Sequence, residues 1–147
     1  VANAAGDRRI CMKIDAKKIG FDKPFDVKPS VKLERKSDLM TIKALQFQAL
    51  DAKSRNLDPT KQDYADTLLK VYEEKGKLTD DSEKFLKDVF KLTAKQVDHI
   101  EENVQSMDEL VEYVIYVIQR LQNMSDKQIE LEQKKQAEAN KEADPKK

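Results

Sequence analysis

His99 is the residue best suited to metal binding or proton transfer, and it stands among carboxylates in the segment VDHIEEN. Zinc proteases place two histidines four residues apart on one helix, with a glutamate between them. Here the second histidine is missing, and the single cysteine, Cys11, cannot form an internal disulfide. We therefore predict no metal site, and we interpret Asp98, Glu101 and Glu102 as a solvated helix face.

Other patterns of catalytic or cofactor-binding residues are also missing from the sequence. Asp80 and Asp81 do not open a calcium loop, because the glycine and the alternating oxygen ligands of such a loop do not follow them. No glycine-rich phosphate loop occurs. Carboxylates are numerous enough for general acid–base catalysis, but nothing singles out a pair. We predict that the protein is not an enzyme and uses no cofactor.

The composition indicates one helical domain in a chain of 147 residues. Charged residues make up 38% and hydrophobic residues 39%, which is typical of helical proteins with charged outer faces. Three glycines and four prolines provide few tight turns, which disfavours a barrel or a sandwich. We therefore predict an all-α fold, a small bundle of about five helices with an extended N-terminal arm and a C-terminal tail that is helical or disordered.

Charge and hydropathy argue against nucleic acid and membrane partners. The 28 basic and 28 acidic residues cancel, whereas a duplex-binding protein usually carries a basic excess. The chain has no tryptophan and few other aromatic residues that could stack on bases. No run approaches the roughly 18 apolar residues that cross a bilayer, and the N-terminus lacks a signal pattern. We expect a soluble, intracellular protein.

An extended arm is predicted for residues 1–36. Residues 1–11 share no pattern with the rest of the chain and Met12 opens a stretch that reads like a natural start, so we expect an unstructured leader or an addition to the natural chain. Further along, FDVKPSVKL alternates apolar and polar residues, while Pro24 and Pro29 restrict any strand to a sheet edge. The arm either packs on its own domain or reaches a neighbouring subunit.

The helical domain is predicted for residues 37–124. A first helix is expected from about Ser37 to Lys53, because apolar residues recur there at helical spacing. A second helix should start at Pro59, where the missing N–H of proline costs nothing. It should stop at Gly76, since glycine is favoured just after a helix.

Capping boxes divide the C-terminal half into further helices. In such a box a side chain at the helix start and one three residues later satisfy each other's free amides. The four candidate pairs are Asp80 with Glu83, Thr93 with Gln96, Ser106 with Glu109, and Ser125 with Gln128. The last pair opens the charged tail, residues 125–147, which has few apolar side chains to bury and is predicted to be a helix that frays into disorder.

The helix that follows Ser106 is the most apolar one. Between Leu110 and Leu121, nine of twelve residues are apolar or tyrosine, and they lie on two faces. Such a helix is either central in its bundle or half covered by a partner. The predicted core positions over all helices are Leu45, Leu68, Phe85, Val89, Phe90, Val114, Val117 and Leu121.

The C-terminal half also resembles a known family. The resemblance is carried by the run EKFLKDVFKLTAKQVDHIEENVQSMDELVEYVIYVIQRLQNMSD. In it an F-x-x-x-x-F helix leads to L-T-x-x-Q, an acidic E-E-N, a short S-M-D-E-L turn, an apolar V-x-Y-V-I-Y-V-I helix and a closing M-S-D. This order of parts is similar to the tail assembly chaperones of long-tailed phages of Gram-positive bacteria, of the lactococcal-phage type. About a third of the chain matches well, and the opening MKIDAKKIG also suits the family.

The resemblance implies a function that composition alone does not give. Chaperones of this family coat the tape measure protein, a long apolar helical rod, and keep it soluble until the tail tube polymerises around it. The partner would then be the tape measure protein, the location the host cytoplasm, and the chaperone would not be part of the mature virion. The alternative is a small helical regulatory or scaffold protein that binds another protein.

Two sets of apolar residues are predicted to make the contacts. The partner is expected to meet residues on the second and fifth predicted helices, at the spacing of a groove that takes a helix: Leu69, Tyr72, Val111, Tyr113, Ile115 and Ile118. Self-association into a head-to-tail oligomer or spiral is predicted through Phe21, Phe25 and Val27. Opposite charges would guide it, since residues 12–36 carry eight basic against four acidic side chains and residues 79–112 carry ten acidic against four basic ones. Chance and solvation are the alternative explanation of this charge separation.

Overall fold

The computed structural model describes residues 11–142. The expectations for residues 1–10 and 143–147 lie outside the described residues. The described part consists of five α-helices and one two-stranded antiparallel sheet, which confirms the predicted all-α fold. No helix in this part combines the length and the apolar content that a membrane span requires.

The N-terminal segment folds onto the helices as a small hairpin. Strand β1 (Met12–Ile14) pairs antiparallel with strand β2 (Phe25–Val27), and a 3₁₀ turn (Lys17–Ile19) lies between them. The alternation of the strands turns Ile14 and Val27 into the core. In this structure the segment therefore packs on its own domain.

Helix α1 (Val31–Arg55) begins earlier than the sequence suggested. Its N-cap is Ser30, whose hydroxyl accepts the N–H of Leu33 at 3.2 Å. The predicted start near Ser37 is wrong, because this serine lies inside the helix and donates its hydroxyl to the Leu33 carbonyl at 2.9 Å. Both serines are of a residue type that caps helices, so the local sequence does not distinguish the two starts.

Small residues form much of the buried face of α1. Ser37, Ala44 and Ser54 are buried together with Met40. The predicted core position Leu45 is wrong, because its side chain is 58% exposed on the other side of the helix. Small side chains allow a neighbouring helix to approach closely, so the larger aliphatic residues of α1 are left facing solvent.

Helix α2 (Gln62–Phe90) is continuous where two helices were predicted. The predicted stop at Gly76 and the capping box at Asp80 are both wrong, since these residues lie inside α2. A glycine within a helix costs only about 1 kcal/mol relative to alanine. Burial of Leu78, Phe85 and Leu86 against the rest of the bundle outweighs that cost.

Two ion pairs join α1 and α2 in their antiparallel register. Lys36 Nζ lies 2.6 Å from Asp88 Oδ2, and Lys43 Nζ lies 2.9 Å from Asp81 Oδ2. Seven residues separate the partners on each helix, which is about two turns. The first pair joins the basic N-terminal region to the acidic region, so part of the charge separation seen in the sequence stabilises contacts within one chain.

The three remaining helices begin close to their predicted caps. They are α3 (Ala94–Asn103), α4 (Met107–Leu121) and α5 (Asp126–Glu142). The capping boxes at Thr93 and at Ser125 are confirmed, with both reciprocal hydrogen bonds present in each. The box at Ser106 is half formed, because the Glu109 carboxylate accepts the N–H of residue 105 instead.

The core lies between α2, α4 and the N-terminal hairpin. Its fully buried side chains are Ile14, Ile19, Leu86, Ile100, Val114 and Val117. Five predicted core positions are confirmed as buried, namely Phe85, Val89, Phe90, Val114 and Val117. Leu68 and Leu121 are half-buried. The tail helix α5 is attached through the buried Ile129, while its side chains from Glu130 to Lys141 are exposed.

Candidate functional site

His99 has a structural role in this fold. Its Nε2–H donates to the carbonyl oxygen of Gly20 at 2.7 Å, and its ring lies 5.0 Å from the ring of Phe21, centroid to centroid. These contacts join α3 to the N-terminal hairpin. Within residues 11–142 no three histidine, cysteine, aspartate or glutamate side chains form a group that could hold a metal ion.

Tyr113 and Ile118 of α4 were predicted to lie on an uncovered surface, and this is wrong because both are buried. The Tyr113 hydroxyl donates to the Asp15 carbonyl at 2.6 Å, and burial raises the pKa of this tyrosine. The same helix keeps Val111 and Ile115 half-buried. A binding role for Tyr113 or Ile118 would require the chain to open.

The C-terminal end of α4 is held by the N-terminal β-hairpin and by α5. Arg120 donates to the carbonyl of Lys13 at 2.8 Å and to that of Met124 at 3.1 Å, and its Nε lies 3.4 Å from Asp126. Tyr116 donates to the same carboxylate at 2.7 Å, and burial together with this hydrogen bond raises the pKa of Tyr116 to about 12. These contacts fix the C-terminal end of α4, while Val111 and Ile115 of its second apolar face stay half-buried.

The residues predicted for self-association belong to the same internal packing. Val27 is buried, and Phe25 stacks on Phe90 with ring centroids 4.4 Å apart. Phe21 meets Phe25 edge-on at 5.2 Å. The expectation that these three side chains are free apolar anchors is wrong for this structure. The segment instead follows the alternative prediction, in which the arm packs on its own domain.

Leu69 and Tyr72 are the two predicted partner-binding residues that are largely exposed, on the outer side of α2. They lie toward the tip of the α1–α2 hairpin. An α-helix turns 100° per residue, so Tyr72 points about 200° away from Lys70 around the axis of α2. Leu69 and Tyr72 therefore form an apolar surface separate from the side of α2 on which Lys70 lies.

A further apolar surface lies on α1, and the sequence analysis assigned one of its residues, Leu45, to the core. Leu39, Ile42 and Leu45 are 52%, 51% and 58% exposed, and we call these three residues the α1 stripe. Monomeric proteins expose single apolar residues routinely, whereas a contiguous group is a candidate binding surface. The sequence carried a signal of this surface. Apolar residues lie on both faces of α1, and a single neighbouring helix can cover only one of them.

A groove between α1 and α2 runs beside the α1 stripe. It measures about 640 Å³ and is lined by Lys43, Gln46, Phe47, Ala49, Leu50 and Lys53 of α1 and by Lys70, Glu74, Lys77, Leu78 and Asp81 of α2. Each residue of the stripe lies one helical turn before one of these, at Lys43, Gln46 or Ala49. We call this feature the hairpin groove. The stripe residues do not line the groove themselves but lie beside it on α1.

The hairpin groove has an apolar floor and a charged rim. Phe47, Leu50 and Leu78 supply the floor, and lysines stand on both sides of it. An apolar groove between two helices can take a third helix that presents apolar anchors at a spacing of three and four residues. An apolar floor between charged rims suits the binding of such a helix.

Comparison with known proteins identifies the family. A family model for phage tail assembly chaperone proteins matches residues 12–137. Comparisons with curated proteins and with solved structures found no match. The family is one of chaperones and not of enzymes, and the lactococcal-phage type stays a prediction. The match spans most of the chain, so this protein belongs to the phage tail assembly chaperone family.

Proposed function

We propose that this chaperone binds an apolar helical segment of the tape measure protein and keeps it soluble before the tail tube polymerises. The binding surface is the α1 stripe together with the hairpin groove. The observation that carries the proposal is the exposure of Leu39, Ile42 and Leu45, each more than half open to solvent beside an apolar groove. Membership of a tail assembly chaperone family supports the choice of a tail protein as partner.

The size of this surface favours weak and reversible binding. Full burial of a leucine or isoleucine side chain is worth about 1.5–3 kcal/mol, so covering the exposed half of each stripe residue contributes about 1 kcal/mol. Association also has a cost, because the partner becomes ordered and loses translational and rotational freedom. This cost reduces the net free energy of binding. A long rod offers many such segments, and several weakly bound copies can be displaced when the tube forms.

Co-expression with a segment of the tape measure protein tests the proposal. Leu45→Glu places a charge in the α1 stripe, and Leu131→Glu places the same charge on the tail helix at a leucine of similar exposure, 53%. The measurement is the fraction of the tape measure segment that stays soluble. We expect the wild type and Leu131→Glu to solubilise it and Leu45→Glu to lose that ability, while circular dichroism shows all three folded.

Two outcomes would contradict the proposal in different ways. Equal loss of solubilisation in Leu45→Glu and Leu131→Glu would mean that added charge, not the stripe, matters. A tape measure segment that stays insoluble with the wild-type chaperone would favour a regulatory or scaffold protein with another partner.

The remaining expectations concern place and assembly. We propose that the chaperone acts in the host cytoplasm and is not part of the mature virion, which mass spectrometry of purified tails would test. Self-association into a head-to-tail oligomer or spiral stays a prediction without an assigned surface, since Phe25 and Val27 are engaged within the chain. Light scattering over a range of concentrations would test it.

A further inference from the structure

Four lysines line the hairpin groove, and among the described residues two of them form ion pairs and two do not. Lys43 pairs with Asp81 at 2.9 Å, and Lys77 pairs with Glu74 at 3.4 Å. These pairs use both acidic residues that line the groove. The two other lining cations, Lys53 and Lys70, form no ion pair among the described residues 11–142.

The register of the hairpin places these two lysines together. Because α1 and α2 run antiparallel and position 43 meets position 81, the same register sets Lys53 opposite position 71, beside Lys70. Both therefore stand at the end of the groove nearer the hairpin tip. Two exposed cations that line the same end of the groove give it a positive potential, which is complementary to a carboxylate on a bound segment.

We propose that the hairpin groove selects a helix that carries carboxylates at one end of its apolar face. The carboxylates lie between Lys53 and Lys70, and the apolar side chains cover Phe47, Leu50 and Leu78. From position 43 to position 53 the groove is about 15 Å long, or about ten residues of helix, so the segment it takes spans about three turns. This inference rests on the proposed function, and it adds the chemistry and the orientation of the bound segment.

Binding of three labelled helical peptides to the full chain tests the inference. Each peptide has about 20 residues with an identical apolar face, and they differ only at one end, which carries two glutamates, two glutamines or two lysines. Two exposed ion pairs should make the glutamate peptide roughly two- to tenfold tighter than the glutamine peptide at low salt. The lysine peptide should be the weakest, and salt should reduce the differences.

Charge reversal separates the groove from the charge of the whole protein. Lys53→Glu with Lys70→Glu should invert the preference, so that the lysine peptide binds best. The matched control is Lys134→Glu with Lys135→Glu on the exposed tail helix, which changes the net charge equally and should leave the preference intact. Fluorescence anisotropy supplies the affinities, and thermal melts confirm that both double variants are folded.

The outcomes distinguish this inference from the function on which it rests. If the wild type binds all three peptides equally, or if the control inverts the preference as well, the role of Lys53 and Lys70 is refuted while helix binding stands. If no peptide binds, the inference falls together with the proposed function.

Discussion

Replacing Leu86 with alanine should cost this protein a large part of its stability. Leu86 lies on α2 and is fully buried in the core. Truncation of such a leucine removes its transfer free energy and leaves a cavity, so we expect the free energy of unfolding to fall by about 3–4 kcal/mol. In a chain of this size about 1 kcal/mol corresponds to 2–4 °C, which predicts a Tm lower by about 6–16 °C.

The same substitution in the α1 stripe should do little. Leu45 is 58% exposed, so the part of its side chain that alanine would lose from the interior is worth at most about 1 kcal/mol. The higher helix propensity of alanine offsets some of this cost. Urea denaturation of Leu86→Ala and Leu45→Ala, followed by circular dichroism, gives both values. Equal losses would place Leu45 in the core and would refute the assignment of the stripe to the surface.

Two further perturbations test the packing of α3 on its neighbours. Partial burial, followed by the hydrogen bond to Glu101 and the charge on that residue, raises the pKa of Glu83 from its ordinary value of 4.5 to about 7. The folded state then holds a proton that the unfolded state has released, so stability should fall as the pH rises from about 4.5 to 7. Glu83→Gln should remove that fall and be more stable than the wild type at pH 8 in urea denaturation; an unchanged slope would contradict this. Gly20→Ala should destabilise the fold by about 1–3 kcal/mol in the same assay, because Gly20 has a φ of +95° and a Cβ there would lie 2.8 Å from Asn103 Cβ. A neutral effect would show that the contact between the N-terminal hairpin and α3 is loose.

Local sequence signals predicted most helix starts in the C-terminal half. The two long helices α1 and α2 depend instead on contacts between residues that are far apart in the sequence. Thr93 and Ser125 open helices where the capping boxes placed them, because a cap involves residues only three apart. Gly76 is a stop signal of the same local kind, but the contacts of α1 with α2 carry the helix through it. Ser37 is of a residue type that caps helices, but in the structure it lies on the buried face of α1.

The candidate site was misplaced for a related reason. Among the predicted helices few were left to cover the apolar α4, yet the N-terminal hairpin supplies Ile14 and Ile19 to the same core. Small buried residues on α1 carry little apolar signal, so Leu45 was assigned to the core in place of Ala44. Tyr72, which was predicted to contact the partner, is 67% exposed in the structure.

Site-specific photocrosslinking tests the central claim most directly. A crosslinking phenylalanine analogue would replace Ile42 in the α1 stripe, Ile115 on α4 or Leu131 on the tail helix, each in full-length chaperone co-expressed with the tape measure protein. We expect crosslinks to the tape measure protein from position 42 and none from positions 115 and 131. Crosslinks from position 115 with none from position 42 would contradict the proposed binding surface, and would return the partner to the face of α4.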